Sequence, residues 1–331
     1  MDNRTPTRLH SRRLSGGRPY LALLLVALLA ACAGTPPPDR QSAPVVLTPS
    51  LQVQSVGWSR QRIHALAVAL PLLQQKFAVE SVAVSLVSLD GEDWAAHFDP
   101  AGAIAAPRRA LYPADGLAMP LLAFLVVAAS ESADWTLRSP LGQLAAGESS
   151  IRPYADTRLL DVLTTPYAES DTRARLALGT ALETAAGSTL RALLATHLPT
   201  MTESQLGLRA GDLRLSTTAE EFGSYLHALI AAGPKHPATA ALLAAHGTVD
   251  ARRGLYHGLG WLLERQPEGG VIAYQWSHAA GHHHFALLDP RRRRGLVMLT
   301  RGQQGRSLIE AALPLIDETP HALLGARASA P

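Results

Sequence analysis

Four histidines crowd one short segment of the chain: His278, then His282, His283 and His284. Imidazole exchanges protons near neutral pH and binds borderline metals, so the cluster offers general-base or metal chemistry. In an extended strand, residues two apart share a face. That rule puts His282 with His284, and His278 can approach them across the turn Ala279-Ala280-Gly281. As a metal set, His278, His282 and His284 have no acidic or cysteine ligand nearby. The expectation is therefore no metal and no other cofactor, only imidazoles lining a cleft beside a solvated turn. Ser277 and Ser170 are the serines considered as partners for His278, but adjacent strand residues point to opposite faces, which works against Ser277–His278. An assisted serine also needs a base, and the chain has only two lysines, Lys76 and Lys235, preceded at i−3 by Leu73 and Ala232. No Ser-x-x-Lys exists anywhere, and residues 89–129 contain no Ser, Thr, Cys or Lys.

The elements that must position these groups are legible in the hydrophobic pattern. A first helix is expected over 59–77, with Ile63, Leu66, Leu70, Leu73 and Phe77 on one face and a kink at Pro71. Val82, Val84 and Leu86 alternate as a strand. Asp90-Gly91 marks a hairpin turn, and Trp94, Ala96 and Phe98 return. Leu117–Ala129 is almost wholly apolar yet too short to cross a bilayer, hence a core helix capped by Asp115. Helices follow near 157–164, 172–186 (ended by Gly187) and 189–198, and Ser170 and Asp171 are expected to serve the loop's own turn chemistry. Thr217-Thr218-Ala219-Glu220 offers a capping box for a further helix bearing Phe222, Leu226, Leu229 and Ile230. Strands are expected at Gly258–Leu263, Val271–Trp276, His284–Leu288 and Leu296–Leu299, then an amphipathic helix near 304–317. Trp261 and Trp276 are expected in the core, and the arginine run Arg291–Arg294 in a solvated hairpin tip, with anionic lipid or peptidoglycan as its alternative contact.

The N-terminus has targeting chemistry. Five arginines up to Arg18 precede the apolar run Leu21–Ala31, which is too short for a spanning helix but suits a signal h-region. The run ends in Leu29-Ala30-Ala31-Cys32, which resembles a bacterial lipobox. That resemblance implies cleavage before Cys32 and acylation of its thiol and new amine, several chains anchoring far more firmly than one. Ala33 follows instead of the Asp that retains lipoproteins in the inner membrane, so an outer-membrane anchor facing the periplasm is expected. Ser11-Arg12-Arg13 leaves Sec and twin-arginine export both open. Cys32 is the only cysteine, so no internal disulfide can form. The chain has 30 basic and 27 acidic residues; without the five arginines and one acid before Cys32, its net charge is −1. This balance gives no electrostatic case for nucleic acid. The expected division is a signal peptide at 1–31, a Pro-rich tether at 32–57, one domain at 58–317 and a tail at 318–331.

The order of helix, hairpin, helical middle, antiparallel strands and last helix resembles the serine β-lactamase and penicillin-binding-protein superfamily, especially its class C-like group, over about residues 58–317. Leu213-Arg214-Leu215-Ser216-Thr217-Thr218-Ala219-Glu220-Glu221 resembles that family's G-L-x-S-T-A-x-D helix start. Tyr256-His257-Gly258-Leu259-Gly260-Trp261 resembles its Y-G-L-G-W strand. Trp276-Ser277-His278-Ala279-Ala280-Gly281, with Phe285, Pro290 and Gly295–Thr300, is similar to H-x-G-G-x-x-G-F … P … G-V-V-V-L-T-N. The resemblance implies an α/β (α+β) transpeptidase-like fold, an antiparallel sheet flanked by helices with an inserted helical lobe. It also implies a cleft built from Ser-x-x-Lys, Tyr-x-Asn and Lys/His-x-Gly elements.

In this chain those elements are degenerate. Asp115-Gly116-Leu117-Ala118 stands where Ser-x-x-Lys would, so Asp115 replaces the nucleophile and Ala118 the lysine. Glu169-Ser170-Asp171 lies near the second element, and Ala280 replaces the glycine after His278. The expectation is a lipid-anchored envelope protein whose domain lacks acyl-enzyme catalysis and binds a cell-wall peptide such as a peptidoglycan stem, an envelope protein or a small ligand. Its alternatives are a divergent serine hydrolase with a non-standard nucleophile and a His-based metal site. The oligomeric state is left open.

Overall fold

Ser59 begins the first helix by accepting a hydrogen bond from the Arg62 amide at 3.3 Å, so α1 runs Arg60–Lys76. The computed structural model describes residues 57–99, 104–105, 110–165, 171–209, 211–279, 281–319 and 321–322. The leader, the lipobox with Cys32 and most of the tether lie outside these residues. Gln54–Pro331 forms one compact unit.

The strands are β1 (Ser81–Ser88), β2 (Trp94–Phe98), β3 (Ile104–Ala105), β4 (Tyr112–Pro113), β5 (Gln205–Arg209) and β6 (Asp212–Thr217). They continue with β7 (Gly247–Asp250), β8 (Leu255–His257), β9 (Leu262–Arg265), β10 (Val271–Ala279), β11 (His282–Asp289) and β12 (Arg294–Arg301). Nine of them make one antiparallel sheet in the order β3-β2-β1-β12-β11-β10-β9-β8-β7. Because side chains alternate across a strand, the sheet serves two cores. One face (Val82, Val84, Phe285, Leu287, Leu296, Met298) packs on α1 and on α9 (Gly305–Ile316). The other (Ala83, Val87, Ala286, Leu288, Val297, Leu299) packs on the helical middle. Strand β1 is buried along its whole length, as a strand sandwiched between two helical layers must be.

The middle comprises α2 (Ala118–Ser130), α3 (Leu141–Leu144), α4 (Leu159–Thr164), α5 (Thr172–Ala186), α6 (Leu190–His197), α7 (Ala219–Ala232) and α8 (Pro237–Leu242). Gly187 ends α5 at φ +59°, the left-handed closure its sequence position implied. The α+β architecture expected from the sequence is thus present, and several local expectations need correction. The motif containing Arg214 begins as a strand, β6, paired with β5 and β4 in a separate three-stranded sheet. Its alternation Leu213-Arg214-Leu215 (buried, exposed, buried) is a strand pattern. The cap of α7 sits one residue later than expected: Thr218 Oγ1 accepts from the Glu221 amide at 3.1 Å. Glu221 does not reach back to the cap; it accepts instead from the Glu203 amide (2.7 Å) and the Ser204 hydroxyl. Of the strand expected at Gly258–Leu263, only Leu262 and Leu263 are strand, at the start of β9; Gly258–Trp261 is a turn between β8 and β9, closed by the Gly258 amide on the Trp261 carbonyl at 2.8 Å. Gly260, at φ +70°, lies where a Cβ would come within 2.6 Å of the Met119 carbonyl, so only glycine fits.

The chain beyond α9 docks onto the sheet before the described residues end. His321 Nδ1 meets the Tyr274 hydroxyl at 2.5 Å, and the Ala322 amide donates to Glu264. The arginine tip is committed to ion pairs: Arg291 with Glu268, Arg292 with Asp289, Arg293 with Asp90, and Arg294 with Asp289 and Asp317. Arg294 also lies over the Trp58 ring at 4.4 Å. Burial raises the Asp317 carboxyl, but His321, Arg294 and Thr319 outweigh it and hold the group well below the usual range.

Candidate functional site

The apolar run that becomes α2 is preceded by a single 3₁₀ turn, Asp115–Leu117, wedged between β10 and β6. Asp115 is buried, yet it does not cap the helix as expected. Its carboxylate faces β6, accepting from Arg214 Nη1 at 2.6 Å and from the Leu215 amide at 3.0 Å. Ala118, in the next turn, is fully buried in the core. Gly116 between them touches β10. Its amide donates to Ser277 Oγ at 3.0 Å, and its carbonyl accepts from Gln275 Nε2 at 3.0 Å. A Cβ on Gly116 would lie 2.7 Å from the Ser277 Cα, so the helix start and the strand meet with no room between them.

The hairpin β10–β11 sorts the histidines onto two faces. Register pairs Ser277 with His284, His278 with His283, and Ala279 with His282. Ser277, His282 and His284 therefore face the helical middle, whereas His278 and His283 face the α9 side. The expected approach of His278 to His282 and His284 does not occur. Among the described residues no group of three His, Cys, Asp or Glu side chains is placed to hold a metal ion. Ser277 and His278 point apart, as alternation requires, with Ser277 buried and His278 exposed. Ser170 and Ala280 lie outside the described residues.

His284 is fully buried, with both ring nitrogens engaged. Nδ1 accepts from the Thr300 amide at 3.2 Å, so Nε2 carries the proton and donates to the Pro113 carbonyl at 2.7 Å. Burial, with His282 and His283 adding to it, pulls its pKa down to about 4, offset in part by the Pro113 hydrogen bond. The ring is thus neutral near pH 7 and has no lone pair free to take a proton from the nearby Ser277. Asp171 performs the turn role expected of it. It caps α5 through the Arg173 amide at 2.9 Å and also accepts from the Tyr154 hydroxyl. The Tyr154 bond, then the Arg173 amide, hold its carboxyl below the usual range.

Beside this closed seam lies an open cleft. Strand β9 pairs with β10 only over Val271–Tyr274, so among the described residues Gln275–Ala279 has no partner strand on that side. The space there, about 460 Å³, is lined by Met119, Thr164, Thr165, His257, Trp261 and Gln275, among others. Trp261 is buried, as expected, and Trp276 is half-buried against Phe285 at 4.6 Å. The sequence motifs missed Arg214, Gln275 and Gly116 as parts of the site. Only the alternation around Arg214 carried a signal for its strand.

This architecture is the serine β-lactamase and penicillin-binding-protein fold. The D-alanine carboxypeptidase AmpC from Burkholderia cenocepacia superposes with a TM-score of 0.62 at 15% identity, covering 78% of this chain and 99% of that one. A penicillin-binding protein homologue from Pyrococcus abyssi, described as octameric, gives 0.61 at 12% identity over 76% and 77% of the two chains. A β-lactamase/D-alanine carboxypeptidase from Pseudomonas syringae gives 0.59 at 10% over 76% and 98%. No protein-family profile matches the sequence, and no curated protein matches it. At these identities the likeness concerns the fold.

Proposed function

We propose that the chain is a lipid-anchored envelope protein whose β-lactamase-fold domain binds a ligand without forming an acyl-enzyme. The observation that carries this reading is the state of the turn at 115–118. Where the resemblance puts a nucleophile and its lysine, Asp115 is bound to Arg214 and the β6 backbone, and Ala118 is sealed in the core. The nearby serine, Ser277, accepts from Gly116, and the buried imidazole beside it has both nitrogens occupied. An unassisted serine is a poor nucleophile near neutral pH.

The open edge of β10 supports an extended peptide as the ligand. A bare strand edge offers unpaired backbone donors and acceptors for strand addition, with side-chain pockets setting specificity. The cleft is large enough for one or two side chains of such a peptide, and its lining mixes Met119 and Trp261 with Thr164, Thr165 and His257. A peptidoglycan stem peptide or a segment of an envelope protein fits this description. Lipidation of Cys32 would hold the domain at the outer membrane, facing the periplasm.

The test is intact mass after incubation with a fluorescent penicillin and, separately, a fluorophosphonate. The expected result is unmodified protein with both. A stoichiometric adduct would reject the binding-only reading in favour of the divergent serine hydrolase, and peptide mapping would locate its nucleophile.

A further inference from the structure

We infer that His278 and His283 form a two-imidazole site for a borderline divalent transition-metal ion, Cu²⁺ first. These residues are directly opposed across the β10–β11 hairpin and lie on the same face, with ring centroids 4.5 Å apart and planes inclined by 28°. This is a different pairing from any that spacing alone suggested, and it stands apart from the cleft reading. Two rings stacked this closely can turn their nitrogens onto one ion with small changes in χ. The hairpin backbone fixes their separation in advance, so little ordering entropy is lost on binding.

The surroundings leave the pair open to an incoming ion. The Gln303 backbone lies beside the half-buried His283 ring. His278 is exposed, which leaves the remaining coordination positions to water. Arg306, a cation beside this pair, lies over Trp276 at 4.8 Å and is paired with Glu310 at 2.7 Å, which offsets its repulsion of an incoming ion. His282 and His284 stack on the opposite face at 6.1 Å and take no part.

Two imidazole nitrogens with water, and no carboxylate or thiolate, select by the general order of divalent affinities: Cu²⁺ ahead of Ni²⁺ and Zn²⁺, with Mg²⁺ and Ca²⁺ excluded by their need for oxygen ligands. A bound ion would staple β10 to β11 beside the Gln275–Ala279 edge. Metal would therefore stiffen one wall of the cleft.

The experiment is a Cu²⁺ titration of the full chain carrying Cys32→Ser, since a free thiol would itself take copper. It is followed by electron paramagnetic resonance and by isothermal titration. The expected result is a one-equivalent site with equatorial coupling to two imidazole nitrogens, and a melting temperature that rises with Cu²⁺. Affinity should fall at least about tenfold in His278→Ala and in His283→Ala, and stay unchanged in His282→Ala. Equal affinity in the parent and in His278→Ala would overturn the assignment. So would loss of the signal in His282→Ala. His278 is on the surface, so its variant decides the matter even if His283→Ala folds poorly.

Discussion

Replacing His284 with glutamine should flatten the acid side of the stability profile, by an amount the structure sets. The imidazole is held neutral in the fold, with its pKa down to about 4, against about 6.5 in an unfolded chain. A depressed pKa means that acid favours the unfolded state, because only there does the ring readily take its proton. The associated stability is therefore complete above about pH 6.5 and is lost as pH falls from there to about 4. Over the whole window the loss is about 3 kcal/mol, and between pH 7.5 and pH 5 about 2 kcal/mol. Protonating Nδ1 would also break its bond with the Thr300 amide at 3.2 Å, beside the edge-on Tyr112 ring. Glutamine can still donate to the Pro113 carbonyl but cannot titrate. The assay is urea unfolding at half-unit pH steps from 7.5 to 5, comparing parent and His284→Gln. Their stabilities should converge by about 2 kcal/mol across that range, whatever constant offset the substitution introduces. Carboxylates and the other histidines contribute to both proteins and cancel in the difference, including His97 and His283, whose pKa values burial also lowers. Parallel curves would refute the argument, since they would mean that His284 titrates alike in the folded and unfolded chains.

Gly116→Ala should destabilise the domain by about 2 kcal/mol or more, because its Cβ would meet the Ser277 backbone at 2.7 Å. A urea midpoint equal to the parent's would show that the turn and strand can part. Asp115→Ala should cost about 1–3 kcal/mol, as it strips the buried Leu215 amide of its acceptor. Arg214→Ala should cost less, since that side chain is 47% exposed and its ion pair is screened; the reverse ranking would contradict the seam as described. Cys32→Ser should abolish metabolic labelling by palmitate and leave the apolar leader uncleaved, so that the protein is larger than the parent by intact mass. A parent that takes no palmitate label would remove the anchor from the proposal.

The fold was legible because its strongest signals are periodic or apolar over many residues. Leu117–Ala129, the alternation of Val82, Val84 and Leu86 and the hairpin through Asp90-Gly91 specify burial directly, and burial fixes which layer each element joins. Short elements were not legible. Strands β4, β5, β7 and β8 span two to five residues, and their pairing comes from chain neighbours that sequence spacing does not reveal. Gly258–Trp261 read as strand because its residues are apolar, but the positive φ of Gly260 and its contact with Met119 are tertiary facts. At the site, the absence of Ser-x-x-Lys was plain from the residues alone. What filled the gap was not, because Asp115 finds its partner Arg214 about a hundred positions away, on a strand the sequence presented as a helix start.

That distance bears on how such a site is closed. On the proposed reading, loss of a nucleophile and its lysine from this buried turn would leave a polar socket, and an empty one is costly. Here the socket is filled from two directions. From β6, Arg214 and the Leu215 amide satisfy Asp115; from β10, Ser277 and Gln275 satisfy both backbone groups of Gly116. The four bonds join the helix start to both sheets. Among the described residues the adjacent edge of β10 carries no such closure, which is what the proposed ligand would need. A chain under selection only to stay folded has no need to keep a bare strand edge beside a sealed turn, because an exposed edge is an aggregation liability. The combination of a sealed turn and an open edge is what argues for recognition over mere loss.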